Sequence, residues 1–461
     1  MTRVSPAGRK ADRPRRVRVA LASLATCAAV AWTASAPAAA PRCDISLQND
    51  VCLEANPVCP AVASPVGVSP GDWPAFQGNV QHTGQSPFNG PTCNATIWNT
   101  RLVGRILSSP VIAEGNPGEP QTLFVPVGKA PVCALDPATG TALWCGTDNE
   151  GKRADRSSPV IGNGDFAYIG TRDNDMWAIQ IPPVGGSPGH VAWRQKVCTD
   201  GDITVPPIIG GDGLVYMASD SLGAGTLMAM CPGPTRQVKW CLNPVGGGIR
   251  NASPALSPGG DALYVTVAGG VLGAYHPQTG ALLWEAALEN KGRVGRNSNL
   301  APVVDPNTGR IYVGLRQGLW AVDPPTTPGG SPTITRFLDT RVARQRLEAP
   351  AALDLAHGRV IVGASKGTSS TLYALDTAGN VLWQRSDLGR GRFQNNPPVV
   401  DAAGRIYVAL DKSLIALNPD GTNLWRSEFP SKLPSSPILA DGRVYVGTTN
   451  GQMYAIGDCP P

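Results

Sequence analysis

Six arginines stand a few residues ahead of a recurring proline: Arg105, Arg156, Arg250, Arg296, Arg346 and Arg392. A guanidinium is charged at any physiological pH and presents a planar fork of donors, so arginines that converge can grip carboxylates or phosphates bidentately. Gathered at one place, these six would favour a multiply anionic ligand such as an acidic glycan, a phosphate-bearing polymer or an acidic peptide. The other reading is a solvated rim, with the same arginines paired to Asp148, Asp155, Glu289 or Asp387. Glu348 and Asn251 lie in the same stretches and carry oxygens of the kind Ca²⁺ accepts, although loop capping uses the same atoms.

Other reactive side chains are sparse. Of four histidines, His276 sits in a turn, His357 in an expected turn and His190 beside Gly189. His82 falls within Trp73–Gly84, where it is expected to anchor an N-terminal arm. No spacing matches a Ser/His/Asp set, a phosphate loop or a metalloprotease helix, so no catalytic residue and no metal ligand set is assigned. Cys-x-x-Cys-His is missing, which excludes covalent c-type haem, and the Cys spacings make no zinc site.

Residues 1–18 hold seven Arg and Lys against one acid, and the apolar stretch 19–36 leads to Ala-Pro-Ala ending at Ala38. This reads as a secretory signal peptide over 1–38. Arg15-Arg16 and Leu24-Ala-Thr-Cys27 resemble twin-arginine and lipoprotein signals only weakly. Removing 1–38 leaves 32 basic against 33 acidic residues, so the basicity that would suggest nucleic acid disappears. Ten Cys remain, an even number suited to an oxidising compartment. Cys133/Cys145 and Cys231/Cys241 each flank an expected hairpin and are expected to bridge locally. Cys43, Cys52, Cys59, Cys93, Cys198 and Cys459 leave fifteen pairings open. Cys459 would most usefully tie down the N-terminal segment.

The elements that must position these residues follow from a repeat. Gly and Pro number 54 and 44 of 461 residues, too many helix breakers for a bundle, while 42% hydrophobic residues is too many for disorder. Pro recurs before an apolar pair at 110, 159, 207, 254, 302, 350, 398 and 437. Ala recurs within a short apolar strand at 134, 178, 229, 274, 321, 374, 416 and 455. An aromatic recurs in phase: Trp98, Trp144, Trp193, Trp240, Trp284, Phe337, Trp383 and Trp425. Four short strands per repeat, eight times, predict an all-β fold, an eight-bladed β-propeller of four-stranded antiparallel blades. The last repeat lacks its own outer strand, and Trp98 precedes the first Pro, so an N-terminal strand is expected to close the ring. The boundaries read as a signal peptide over 1–38, a Cys-containing arm over 39–92 and the propeller over 93–461. The Ala and Trp series, with Trp177 and Trp320, are expected to pack.

The hairpin Ala134-Leu-Asp136-Pro-Ala-Thr139-Gly140-Thr-Ala-Leu-Trp144 resembles the tryptophan-docking motif of pyrroloquinoline quinone (PQQ)-like propellers. Variants recur at 373–383 and 416–425, and Asp72–Gly84 resembles the opening segment of secreted members. The likeness spans about 72–457, and its layout is similar to the non-enzymatic outer-membrane-assembly lipoprotein type. It implies either a quinoprotein dehydrogenase, with PQQ and Ca²⁺ at the central funnel, or an adaptor without cofactor. The adjacent Cys-Cys pair of the dehydrogenases is missing here.

In a propeller the stretch from the outer strand to the next inner strand crosses one face. Those eight connectors carry 15 Arg and 4 Lys against 11 acids, a net of +8, while the chain after residue 38 totals −1. The expected function is therefore a secreted or envelope binding or scaffold module of a bacterium. It would be a monomer without cofactor, taking a protein partner or an anionic envelope ligand on the Arg-rich face, and no nucleic acid. A PQQ- and Ca²⁺-dependent dehydrogenase and an envelope polymer-binding module are the alternatives.

Overall fold

The computed structural model describes residue 59 and residues 72–460, apart from 115–118, 129, 147–155, 163–165, 173–174, 184–185, 187–188, 197–202, 220–224, 234–236, 244–248, 250–251 and 290–299. The expected signal peptide, Cys27, Cys43, Cys52 and Cys198 lie outside these residues, as do Arg250, Asn251 and Arg296. Among the described residues every regular element is a strand, and the strands form eight antiparallel sheets in sequence order around an eight-bladed propeller. Among the described residues no helix is long and apolar enough to cross a membrane.

The repeated prolines mark where each inner strand begins: Val111, Val160, Ile208, Ala255, Val303, Val399 and Ile438 each follow one directly. Proline has no N–H to give to a ladder, so it suits the point where a connector becomes a strand. Blade 6 differs, because Arg346–Leu347 adds a second short segment to the same long strand, Arg359–Lys366, that pairs with Ala352–Asp354.

Seven of the eight Ala stand directly opposite their aromatic on the outer strand, as in Ala134↔Trp144 and Ala416↔Trp425. The small side chain makes room for the indole, which lies over it and reaches the turn of the next blade. The Nε1–H groups of Trp98, Trp240 and Trp383 donate to the carbonyls of Pro137, Pro277 and Pro419 at 2.9, 2.7 and 3.1 Å. The core is correspondingly a set of apolar layers between adjacent blades, for instance Tyr216, Ala229 and Trp240 against Val265 and Tyr275. Trp177 and Trp320 are buried packing residues, each covered by an arginine, Arg194 or Arg336, 4.9 Å from the ring centroid.

The ring closes as the register demands. Ala95–Arg101 pairs with Gln452–Gly457 as the outer strand of blade 8, placing Trp98 opposite Ala455 and against the first blade's turn. Cys93–Cys459 locks this junction.

Cys133–Cys145 forms as expected, because the two residues face each other across their strands with Cα atoms 4.0 Å apart. The expected Cys231–Cys241 bridge does not form. Cys241 lies opposite Met228, so Cys231 is three residues out of register. Cys231 instead bonds Cys59 of the arm, and Cys241 is disulfide-bonded elsewhere.

Residues 73–86 of the arm run along the axis-facing edges of the inner strands. Trp73 exchanges two backbone hydrogen bonds with Ile112, and Pro74 accepts one from Ile161. The amides of Leu256, Val304, Leu353 and Val400 then donate to Val80, Gln81, Thr83 and Gly84 at 2.7–2.9 Å. An inner strand has a free edge toward the axis, and the arm satisfies those orphan donors in blade after blade. His82 is fully buried here, where its Nδ1–H donates to the Pro302 carbonyl at 3.2 Å and Ser253 Oγ lies 3.4 Å from Nε2. Burial lowers its pKa to about 4, so the ring is neutral. His82 thus anchors the arm, as its position in the sequence implies.

Candidate functional site: the connector-face funnel

Each inner strand leaves the connector face at its proline, so the residues just before the proline surround the axis on that face. The hairpins between the second and third strands of the blades turn on the same face. Together they bound a funnel of about 870 Å³, and Phe76 of the arm contributes to its lining. Connector residues supply Ser109, Arg156, Ser158, Arg390, Arg392, Asn396, Lys432 and Ser435, and the hairpins supply Arg172, Thr368, Asp411 and Thr449.

Among the described residues, five cationic side chains therefore meet one acid, Asp411, in the lining. Lys432 pairs with Asp411 at 3.4 Å. Arg392 is held by Glu348 bidentately along one guanidinium edge, with Nε donating to Oε2 at 2.9 Å and Nη2 to Oε1. Arg156 and Arg390 are exposed, and neither side chain has a hydrogen bond or ion pair among the described residues. An excess of positive charge in a concave, partly desolvated site focuses the field and attracts anions.

Of the six arginines singled out by position, Arg156 and Arg392 lie in the funnel wall. Arg105 and Arg346 are exposed but outside the lining. At Arg105 the connector continues through Leu107, Ser108 and Ser109 before the proline, and it is these that reach the funnel. Arg346 is drawn into the extra strand segment opposite Ser365. Glu348 serves as the partner of Arg392. Ion pairs of the rim type also occur, at Arg385–Asp387 and Arg426–Glu428, each with a separation of 2.6–2.7 Å. Sequence reasoning missed Arg172, Arg390, Lys432 and Phe76. A search of the hairpins that share the connector face would have found Arg172, whereas nothing local marks Phe76.

Calcium in such a funnel would need several oxygen ligands, carboxylates foremost. Among the described residues no group of three or more His, Cys, Asp or Glu converges; Asp411 in the lining pairs with Lys432, and Glu348 outside it pairs with Arg392. The described residues alone do not offer the oxygen set that a Ca²⁺-bound quinone needs.

The family model described as outer membrane protein assembly factor BamB matches residues 90–219, 184–378 and 368–458, well over half of the chain. No curated protein matches. Among solved structures, a quinohemoprotein alcohol dehydrogenase from Comamonas testosteroni superposes with a TM-score of 0.65 at 15% identity, covering 86% of this chain and 82% of its own. The quinohemoprotein alcohol dehydrogenase ADHIIG from Pseudomonas putida gives 0.64 at 15% identity, covering 85% and 82%. BamB from Moraxella catarrhalis gives 0.52 at 18% identity, covering 79% of this chain and 98% of that one. At these identities the superpositions establish the fold they share, a PQQ-like propeller. The family match goes further: this chain belongs to the BamB-type family of PQQ-like β-propeller proteins.

Proposed function

We propose that this protein is an exported binding module that takes a multiply anionic ligand into its connector-face funnel. The observation that carries the reading is the lining itself, with five cationic side chains against one acid and with Arg156 and Arg390 unpaired among the described residues. A rigid ring that presents guanidinium groups around a concavity is pre-organised, so little ordering opposes binding. Export rests on the basic and apolar leader over 1–38. Binding without catalysis rests on the poor fit of the described residues to a Ca²⁺-bound quinone.

A protein partner bearing an acidic segment is the second reading, favoured by the family's description as an assembly factor. Such a segment would use the same cations.

Calorimetric titration of the purified protein with tricarballylate, and separately with PQQ with and without Ca²⁺, tests the proposal. Saturable tricarballylate binding that weakens with added salt is expected. Dye-linked alcohol oxidation appearing with PQQ and Ca²⁺ would overturn the non-enzymatic reading, and no binding of either anion would overturn the funnel as an anion site.

A further inference from the structure

In three of the blades the residue two positions before the proline ties its connector to the next one. Ser108 Oγ donates to the Ser157 carbonyl at 2.9 Å, and Ser157 Oγ donates to the Val205 carbonyl at 3.1 Å. Asn396 Nδ2 donates to the Leu433 carbonyl at 2.9 Å. Ser435 occupies the equivalent place in blade 8, where the ring closes onto blade 1. Its hydroxyl is buried and makes no hydrogen bond among the described residues, and Asn396 Oδ1 is likewise buried without a partner among them. Both residues line the funnel, in the same lining as Ser109, Ser158 and Phe76.

A buried polar atom without a partner costs free energy, so these two atoms favour a ligand that satisfies them. The bond to Leu433 fixes the orientation of the Asn396 amide and leaves its oxygen, an acceptor, as the orphan. An acceptor cannot be satisfied by a carboxylate or phosphate oxygen; it needs a donor. The ligand must therefore carry hydrogen-bond donors as well as negative charge, which hydroxyl groups supply, and the half-buried Phe76 ring offers an apolar face to a flat or cyclic body.

We infer that the funnel's ligand is an acidic sugar: a pyranose bearing a carboxylate or phosphate, free or at the end of a glycan. Its charge meets Arg156 and Arg390, its hydroxyls meet Asn396 Oδ1 and Ser435 Oγ, and its ring covers Phe76. This inference rests on the anion-binding reading above and adds the hydroxyl requirement to it.

The test is calorimetry on the full chain with four probes: trigalacturonate, glucose 6-phosphate, maltotriose and tricarballylate, the last charged but free of hydroxyls. At least one of the two acidic sugars is expected to bind about tenfold or more tighter than tricarballylate, with maltotriose far weaker; which of the two wins tells carboxylate from phosphate. Ser435→Ala is expected to weaken the acidic sugar about five- to thirtyfold, as for one hydrogen bond of roughly 1–2 kcal/mol, and to weaken tricarballylate distinctly less. Because that hydroxyl makes no bond among the described residues of the free protein, Ser435→Ala should not lower the melting temperature.

Tricarballylate binding as tightly as both sugars, or Ser435→Ala weakening all anions alike, would overturn the sugar inference and leave the anion site standing. Maltotriose matching the acidic sugars, or no probe binding at all, would overturn both.

Discussion

Gly140→Ala is the substitution whose cost the structure fixes most closely, because the protein carries its own control. Gly140 and Gly309 close two turns of the same sequence type, Asp136-Pro-Ala-Thr-Gly140 and Asp305-Pro-Asn-Thr-Gly309. In both, the Asp side chain accepts a backbone N–H and a Thr hydroxyl, and the Gly amide donates to the Asp carbonyl at 2.8 Å. Their φ angles are +73° and +74°. The surroundings differ. A Cβ on Gly140 would lie 2.5 Å from the Trp98 indole, whereas a Cβ on Gly309 would meet nothing within 4 Å. Gly309→Ala should therefore cost only the left-handed backbone term, about 1–2 kcal/mol. Gly140→Ala adds an overlap that neither the indole nor the turn can relieve locally, which should cost about 1–3 kcal/mol more. Urea unfolding followed by Trp fluorescence measures both, and the difference should reach at least roughly 1 kcal/mol, the lower end of that overpacking range. Equal losses in the two variants would refute the docking of Trp98 as the seal of the ring.

Other expectations follow from the arm and the bridges. His82 is neutral in the fold, with a pKa lowered from 6.5 to about 4 by burial, while in the unfolded chain it takes a proton below 6.5. Its contribution to stability is therefore intact above pH 6.5 and falls as pH drops toward 4, by about 3 kcal/mol. His82→Asn, a residue that tolerates the observed φ of +58°, should flatten stability against pH across that window; an unchanged slope would place the titration elsewhere. Non-reducing peptide mapping should recover Cys59–Cys231 and Cys93–Cys459, and a Cys231–Cys241 peptide would contradict the register of blade 3. Trp98→Ala should destabilise by about 3–5 kcal/mol, the usual cost of emptying a large aromatic site, with the loss read in the same urea assay.

The fold was legible because its signals are local and repeat. Proline marks each inner strand, alanine faces each indole, and the misplaced Trp98 announces the closing strand. The arm was legible only as a segment with His82 in it. Its course depends on backbone donors and acceptors, such as Leu353 N–H to Thr83, which any sequence possesses. The bridge of Cys231 was misread because flanking a hairpin is not facing across it, and register decides which residues meet. At the funnel, the connectors identified Arg156 and Arg392, but their place in the wall separates them from Arg105 and Arg346. Arg172 comes from a hairpin that shares the connector face through topology alone. Asn396 and Ser435 carry no special sequence signal, since equivalent serines in blades 1 and 2 spend their hydroxyls on the neighbouring blade.

The central claim is that unpaired guanidiniums of the connector face hold an anion. Calorimetry of tricarballylate against the unaltered protein and the Arg156→Ala/Arg390→Ala variant, at low and at physiological salt, tests it most directly. Removing a charge-assisted hydrogen bond to the anion should cost about 1.5–3 kcal/mol for each guanidinium, so the double variant should bind at least about a hundredfold more weakly. Its remaining affinity should also depend less steeply on salt. Affinity that is unchanged in the variant, with the same salt dependence, would contradict the account.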